Sequence, residues 1–152
     1  RGWRVGRDGR VFRIVKFRTM ATSGVGARGP LTVANDPRVT SVGYLLRRMK
    51  LDELPQLFNV LRGDMSLVGP RPERPVFVEQ LLKEFPLYYL RHKVKAGLTG
   101  WAQINHKYGD TIEDTITKLE YDLYYIKHIS FSLDTYIILN TLKTVILGRG
   151  AQ

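Results

Sequence analysis

The chain has 152 residues, which is enough for one hydrophobic core and too few for two, so we expect a single domain spanning residues 1–152. Its content of 43% hydrophobic and 25% charged residues is typical of a globular domain. It has no cysteine, which excludes disulfides, thiolate-bound zinc and a cysteine nucleophile. Because it begins with Arg1 rather than Met, we expect it to be part of a longer protein.

The net charge of +10 comes entirely from the N-terminal third of the chain. Residues 1–50 contain twelve Lys and Arg residues and two acids, whereas residues 51–152 contain twelve of each sign. Such an excess indicates an anionic partner, and anionic lipid headgroups, phosphorylated substrates and nucleic acid all fit. No uninterrupted run of about eighteen apolar residues is present, so the sequence predicts no complete transmembrane helix.

The first elements predicted along the chain form a β-hairpin. Trp3–Val5 and Val11–Met20 are the expected strands, and Arg7–Arg10 is the expected turn. The segment Ala21–Asn35 is rich in small residues and is predicted to be a loop. Its glycine spacing at Gly24–Gly29 resembles a dinucleotide-binding fingerprint, but no helix is predicted after the last glycine, as such a site requires.

Helical periodicity dominates the rest of the chain. Asp36 is expected to cap a helix that begins at Pro37 and has its apolar residues on one face. Asp110 and Glu113 form a capping-box pattern that predicts the start of a long helix ending near His128. The other expected helices are 55–61, 77–85, a stretch ending near 94, and 133–147.

Two segments between these helices are predicted to be irregular. Val68–Pro75 contains three prolines, and Gly97–Gly100 is expected to be a turn. The predicted fold is therefore α+β and predominantly helical, with an N-terminal β-hairpin followed by short and amphipathic helices.

Two adjacent carboxylates, Asp52 and Glu53, lie at the predicted start of a helix. Acids are common there because they complement the helix dipole, by roughly 0.3–1 kcal/mol, so the pair has an ordinary structural explanation. The functional alternative is phosphoryl transfer, in which one carboxylate attacks phosphorus and the other binds magnesium together with phosphate oxygens. Arg47 and Arg71 would then bind phosphate oxygens, and the flanking prolines of Arg71 would fix its direction.

A series of motifs covers almost the whole chain. They are Val5–Phe12, Lys16–Met20, Asp36–Thr40, Leu51–Leu61, Gly63–Pro72, Lys95–Asn105 and Lys118–Ile126. In sequence and in order, these motifs resemble the bacterial sugar transferase family, which comprises monotopic polyprenyl-phosphate phosphoglycosyl transferases. Several long matches in the same order make the resemblance more specific than any single motif.

The resemblance implies a reaction and a cofactor. The enzyme would move a sugar-1-phosphate from a UDP-sugar donor to polyprenyl phosphate, which initiates polysaccharide or glycoconjugate synthesis. Asp52 would be the nucleophile and would form a covalent aspartyl-phosphosugar intermediate, so that the kinetics would be ping-pong. Glu53 would be the ligand of a Mg²⁺ cofactor.

The resemblance also implies residues that bind the substrates. Arg47 and Arg71 would hold donor phosphates, and Lys16 and Arg18 would contact phosphate or lipid headgroups. Asp122 would have a supporting role. The full set of expected substrate-binding residues is Lys16, Arg18, Arg47, Pro70, Arg71, Pro72 and Asp122.

The family also implies a place in the cell, namely the cytoplasmic face of the bacterial inner membrane. The chain would be a monotopic, membrane-associated catalytic domain whose basic residues contact an anionic membrane surface. A hydrophobic re-entrant helix precedes the first strand motif in family members and would lie before Arg1. Ala96 stands where the family has proline, which is expected to loosen a turn. The identity of the sugar and the existence of a homo-oligomer are left open.

Two other functions are compatible with the composition. A nucleic-acid-binding domain would use the basic first third, but it would leave Asp52, Glu53 and the Pro-Arg-Pro element without a role, so we expect no nucleic-acid partner. A membrane-surface scaffold that keeps the fold without the chemistry would not require both carboxylates. The three histidines have no metal-ligand spacing and are not expected to bind metal.

Overall fold

The computed structural model describes residues 2–21, 36–106 and 111–147. Within these ranges the chain is mostly helical and has two small β-sheets, which confirms the predicted α+β class and the helical majority. Except for Ala21, the loop predicted at Ala21–Asn35 and its glycine-rich motif lie outside the described residues. No helix in the described ranges has the length and apolar character needed to cross a membrane.

The predicted hairpin is present and is shorter than expected. Strand β1 (Gly2–Val5) pairs antiparallel with β2 (Val11–Ile14). The second strand does not continue to Met20, because the next backbone donors bind other parts of the chain. The amide of Val15 donates to Asn59 Oδ1 at 3.0 Å, and the amide of Phe17 donates to the Asp52 carbonyl at 3.0 Å.

Helix α1 (Ser41–Arg48) begins later than predicted. Its N-cap is Thr40, whose hydroxyl accepts a hydrogen bond from the Gly43 amide at 2.9 Å. The expected cap at Asp36 is wrong because this carboxylate instead binds the Arg38 side chain, with Nη2 and Oδ2 2.6 Å apart. A Cβ at Gly43 would lie 2.1 Å from the Thr19 carbonyl oxygen, so α1 can approach the segment after β2 only at a glycine.

A short helical unit and an unpredicted strand follow α1. The 3-10 helix Leu51–Gln56 continues into α2 (Leu57–Arg62), which ends at Gly63 with φ 87°, as the sequence predicted. Strand β3 (Met65–Val68) then pairs in parallel with β4 (Ala96–Thr99). The turn expected at Gly97–Gly100 is therefore wrong for its first three residues, which belong to β4.

One of the remaining helices, Trp101–Asn105, is not predicted by the sequence, and the others lie close to their predicted positions. They are α3 (Pro75–Glu84), the 3-10 helix Pro86–Lys93, α4 (Trp101–Asn105), α5 (Ile112–Lys127) and α6 (Phe131–Ile146). The capping box of α5 is formed by Thr111 and Asp114, one residue later than predicted, because the Thr111 hydroxyl binds the Asp114 amide and the Asp114 carboxylate binds back to Thr111.

Three groups of buried side chains fix the hairpin, the parallel strands and the long helices to one another. Met65 and Val68, at the two ends of β3, belong to different groups, so both ends of this strand are held by the core. The groups are Val5, Val78, Tyr88 and Leu119; Phe12, Ile14, Met65 and Ala96; and Val68, Tyr125 and Ile137. The irregular segment that leaves β3 therefore starts from a rigid position.

Candidate active site

The adjacent carboxylates Asp52 and Glu53 lie in the 3-10 helix Leu51–Gln56. Lys50 precedes this helix in the left-handed region at φ 53°, which is unusual for a residue with a side chain and turns the chain sharply after α1. Asp52 is 8% exposed, and its carbonyl binds the segment after β2. The two carboxylates are therefore placed by a tight turn between α1 and α2.

The two carboxylates have different electrostatic environments. Burial raises the pKa of Asp52, the negative charge of Glu53 raises it further, and Lys16 and Arg47 oppose both effects without cancelling them. Burial also raises the pKa of Glu53, but the charge and hydrogen bonds of Arg71 outweigh it, so that the pKa of Glu53 is lowered. Opposite shifts in neighbouring carboxyl groups are typical of a pair with divided roles.

Arg71 binds Glu53 with both ends of its guanidinium group. Nη2 lies 2.6 Å from Oε1 and Nη1 lies 3.3 Å from Oε2, which is the bidentate geometry that arginine forms with carboxylates. Pro70 and Pro72, on either side of Arg71, are buried. The Pro70 carbonyl accepts a hydrogen bond from the Gly97 amide of β4 at 2.9 Å, which fixes the turn against the parallel sheet.

Arg47 approaches the site from α1. Its Nε donates to the hydroxyl of buried Thr19 at 2.8 Å, and its positive charge acts on the carboxyl group of Asp52. The Thr19 hydroxyl therefore fixes the direction of the Arg47 side chain relative to the segment after β2.

A cationic pocket of about 190 Å³ opens beside Glu53. Its charged lining consists of four cationic side chains and two acidic ones, so it favours an anionic ligand. The lining residues are Arg4, Ile14, Lys16, Glu53, Gln56, Arg71, Pro72, Glu73, Arg74 and Phe77. It thus brings together four of the residues singled out in the sequence: Lys16, Glu53, Arg71 and Pro72.

The other predicted residues do not belong to the lining of this pocket. Asp52 and Pro70 are the chain neighbours of lining residues, and Arg18 is exposed two positions after Lys16. Asp122 is 2% exposed on α5, and its carboxylate binds Arg91, with Oδ2 and Nη2 2.7 Å apart. A larger cavity of about 460 Å³ lies between the hairpin and α3 and has none of the predicted site residues in its lining.

Several residues at the site were not singled out in the sequence. Arg4 and Arg74 supply half of the cationic lining of the pocket, and buried Asn59 holds the backbone before Lys16 by accepting from Val15 and donating to the Arg13 carbonyl at 2.9 Å. Asn59 lies inside the Leu51–Leu61 motif, so this motif could have identified it as a residue of the site. Nothing in the local sequence distinguishes Arg4 or Arg74 from the many surface arginines of this chain.

The donor set near the pocket fits a magnesium ion that is bound together with a phosphorylated ligand. Magnesium prefers oxygen ligands and takes one or two carboxylates plus phosphate oxygens and water, and Asp52 and Glu53 offer two carboxylates. In the part of the chain that the structure describes, no group of three or more His, Asp or Glu side chains could hold a metal ion. An ion held by these two carboxylates would complete its coordination with phosphate oxygens and water.

Comparisons with known proteins give a consistent result. The family model described as bacterial sugar transferase matches residues 1–148. The UDP-N-acetylgalactosamine-undecaprenyl-phosphate N-acetylgalactosaminephosphotransferase of Aeromonas hydrophila is 48% identical over 149 residues, which are 98% of this chain and 35% of the relative. The UDP-glucose:undecaprenyl-phosphate glucose-1-phosphate transferase of Escherichia coli (strain K12) is 46% identical over 150 residues, which are 97% of this chain and 32% of the relative.

A shorter relative is matched over more of its length. The uncharacterized sugar transferase EpsL of Bacillus subtilis (strain 168) is 42% identical over 153 residues, covering 98% of this chain and 70% of the relative. The chain thus spans about a third of the Aeromonas and Escherichia proteins and most of the Bacillus one.

Proposed function

Since the chain belongs to the bacterial sugar transferase family, we propose that it is the catalytic domain of a phosphoglycosyl transferase that moves a sugar-1-phosphate from a UDP-sugar to undecaprenyl phosphate. The observation that carries the proposal is the meeting of two elements. The 3-10 helix with Asp52 and Glu53 meets the Pro-Arg-Pro turn through the bidentate Arg71–Glu53 contact, beside a pocket with four cationic side chains.

Asp52 is the nucleophile in this proposal. Its Oδ atom attacks the phosphorus that carries the sugar, the bond from that phosphorus to the bridging oxygen breaks, and uridine monophosphate leaves with the electron pair. A phosphate oxygen of undecaprenyl phosphate then attacks the same phosphorus, and the Asp52 carboxylate is released. The raised pKa of Asp52 supports this role, because a more basic carboxylate is a better nucleophile once it is ionised.

Glu53 and Arg71 handle the charge of the donor. We assign Glu53 as the ligand of Mg²⁺, which when bound neutralises the charge of the diphosphate. Arg71, Arg47 and Lys16 supply hydrogen-bond donors and positive charge for the phosphate oxygens. The lowered pKa of Glu53 supports its assignment, because it keeps the carboxylate ionised at neutral pH.

An anionic membrane surface on the cytoplasmic face of the inner membrane is the proposed location of the acceptor. Apolar side chains are exposed on both helices that flank Asp52: Tyr44 and Leu45 on α1, and Phe58 and Leu61 on α2. Exposed arginines at the ends of both helices, together with the basic first third of the chain, would bind acidic headgroups while the apolar side chains enter the interface.

The proposal is tested by trapping the covalent intermediate. The whole protein, in detergent or nanodiscs, is incubated with magnesium and a panel of UDP-sugars without acceptor. We expect one donor to release about one equivalent of uridine monophosphate and to add one sugar phosphate to the protein mass. The Asp52→Asn variant should do neither, whereas the matched control Asp8→Asn, in the exposed hairpin turn, should behave as the wild type.

Two results would contradict the mechanism. Release of uridine monophosphate by Asp52→Asn at the wild-type rate would exclude Asp52 as the nucleophile. Release by the wild type only after undecaprenyl phosphate is added would argue against a covalent intermediate. The donor that reacts also identifies the sugar, on which the relatives named above differ.

A further inference from the structure

A buried polar cluster lies outside the pocket, between α5 and the 3-10 helix Pro86–Lys93. Its centre is the guanidinium of Arg91, which is 7% exposed. Arg91 Nε and Nη2 lie 2.9 and 2.7 Å from Asp122 Oδ2, and Nη1 donates to the hydroxyl of Tyr88. The guanidinium also lies over the Tyr88 ring, with its carbon 4.9 Å from the ring centroid.

The same guanidinium reaches the backbone of the candidate site. Arg91 Nη2 donates to the carbonyl oxygen of Arg71 at 2.8 Å. Prolines have no amide hydrogen, so the Pro70–Pro72 segment is held largely through its carbonyl groups. The Pro70 carbonyl is bound by β4, and the Arg71 carbonyl is bound by Arg91. Arg91 therefore fixes the one residue of this turn whose side chain binds Glu53.

We propose that Arg91 is a positioning residue of the transferase site, which orients the Arg71 guanidinium through the Arg71 carbonyl and is itself oriented by Asp122 and Tyr88. The proposal rests on the proposed function, in which Arg71 binds the donor diphosphate. In this proposal Asp122 supports the site by orienting Arg91, and it does not need to contact the substrate.

The cost of burying these charges supports a role beyond stability. A buried ion pair is often no more stabilising than apolar side chains of the same volume, because both charges lose their hydration. Burial raises the pKa of Asp122 although Arg91 opposes that shift, whereas the charge of Asp122 helps to raise the pKa of Arg91 although burial opposes it. The planar guanidinium provides hydrogen-bond donors in three fixed directions, toward Asp122 on α5, toward Tyr88 and toward the Pro-Arg-Pro turn.

Two tyrosines provide a matched comparison. Tyr88 and Tyr125 are both buried, and the hydroxyl of each binds a charged side chain: Tyr88 binds Arg91, and Tyr125 binds Asp134 Oδ1 at 2.8 Å. The Tyr125 hydroxyl also lies 3.5 Å from the Val68 carbonyl oxygen, which is the long limit of a hydrogen bond. Only Tyr88 is connected to the Arg71 carbonyl through its partner. Tyr88→Phe and Tyr125→Phe should therefore lower the thermal stability similarly but differ in their effect on the donor site.

The experiment measures the affinity of the whole protein for UDP by calorimetry, with magnesium, at a temperature where every variant is folded. We expect Arg91→Lys to weaken UDP binding by about 10- to 100-fold, since lysine cannot bind all three acceptors in fixed directions. Tyr88→Phe should weaken binding by about 2- to 10-fold. Tyr125→Phe should leave the affinity unchanged.

A double-mutant cycle decides whether Arg91 acts through Arg71. In an Arg71→Lys background, Arg91→Lys should cause little further loss of affinity, because the group that it orients is already gone. Independent, additive losses would overturn the proposal. So would an unchanged UDP affinity in Arg91→Lys, a loss in Tyr125→Phe as large as that in Tyr88→Phe, or no binding of UDP by the wild type.

The proposed function fails in a different measurement. It fails if the wild type binds UDP but forms no covalent sugar-phosphate adduct with any UDP-sugar, and that result would leave the coupling between Arg91 and Arg71 measurable by binding. Failure of the positioning proposal alone would instead give an active wild type whose Arg91 and Arg71 substitutions are additive.

Discussion

At the scale of single residues, the site depends on Asp52, a buried carboxylate whose negative charge is not fully compensated by the neighbouring cations. Asp52 is buried beside Glu53, and the nearby cations Lys16 and Arg47 do not restore an ordinary pKa. The neighbouring Glu53 has the opposite shift because Arg71 binds it directly. Two adjacent carboxyl groups thus have opposite pKa shifts, because Arg71 of the Pro-Arg-Pro turn binds only one of them.

This arrangement predicts that the Asp52→Asn variant is more stable than the wild type. A carboxyl group whose pKa is raised on folding destabilises the native state when it is ionised, and asparagine removes that charge. We expect a gain on the order of 1 kcal/mol at neutral pH, which corresponds to about 2–4 °C in Tm for a chain of this size. Urea unfolding of the 152-residue chain measures the difference.

The dependence of this gain on pH follows from the sign of the shift. The folded chain holds the Asp52 proton to a higher pH than the unfolded chain, so the wild type loses stability as the pH rises through the window between the two pKa values. The gain from Asp52→Asn should therefore be complete above the folded pKa and should shrink as the pH falls toward the ordinary aspartate pKa of about 3.9. An Asp52→Asn variant less stable than the wild type at neutral pH would contradict the electrostatic explanation. The control is Asp8→Asn in the exposed hairpin turn, which should change the free energy of unfolding by less than about 0.5 kcal/mol.

At the scale of elements, the Pro-Arg-Pro turn is held by the close approach of β4. A Cβ at Gly97 would lie 2.2 Å from the Gly69 amide nitrogen and 2.4 Å from the Thr99 carbonyl oxygen, and both are backbone atoms that cannot move without displacing the turn. Glycine is required here for space rather than for its backbone angles. The parallel pair β3–β4 therefore brings the turn, and with it Arg71, to the carboxylates.

Gly97→Ala is consequently expected to damage both the stability and the site. Overpacking against backbone in a well-packed region costs typically about 1–3 kcal/mol, and the displaced turn would carry Arg71 away from Glu53. Gly2→Ala is the matched control for the unfolding measurement alone, because the nearest atom to its Cβ is the flexible end of Arg4 at 3.0 Å, and Arg4 itself lines the pocket. Denaturant unfolding and UDP affinity are the measurements, and a Gly97→Ala variant with wild-type values in both would show that the sheet does not position the turn.

The elements also differ in how well the sequence predicts them. The hairpin, the end of α2 at Gly63 and the long helices α5 and α6 have local signals such as turn residues, caps and periodicity. Strands β3 and β4 have only four residues each and no clear alternation, and they pair across an intervening segment of 27 residues, so their pairing is decided by tertiary contacts. The start of α1 was misplaced because Asp36 has a closer partner in Arg38.

The same distinction applies to the candidate site. The motif around Asp52 and Glu53 and the Pro-Arg-Pro element could be identified along the chain, and the structure brings them into contact. The buried Arg91 could not be identified, because it stands in an Arg-His-Lys run, and such charged runs are typical of solvent-exposed segments. Its role depends on Asp122, 31 positions further along, and this contact exists only after α5 has packed on the 3-10 helix Pro86–Lys93.

At the scale of the whole molecule, charge and exposed apolar surface occur on the same part of the chain. The N-terminal third carries the whole positive excess, and it includes α1, whose outer face exposes Val42, Tyr44 and Leu45. Helix α2 adds Leu57, Phe58 and Leu61 on the other side of the carboxylates. Apolar side chains among basic ones are typical of a surface that binds an anionic membrane interface.

This surface predicts how the 152-residue chain binds lipid vesicles. Binding should require anionic phospholipid and should weaken as salt is raised, because exposed charges are screened over a Debye length of about 8 Å at physiological ionic strength.

The double substitution Phe58→Ser with Leu61→Ser should weaken binding about tenfold or more, since partial burial of each side chain in the interface contributes on the order of 1 kcal/mol. The matched control is Val76→Ser with Leu87→Ser, which removes two apolar side chains that are also exposed, from α3 and the 3-10 helix Pro86–Lys93. Vesicle flotation distinguishes the outcomes: binding to neutral vesicles that is as strong as to anionic ones would remove the electrostatic part of the prediction, and an equal loss in the control would remove α2 from the membrane-binding surface.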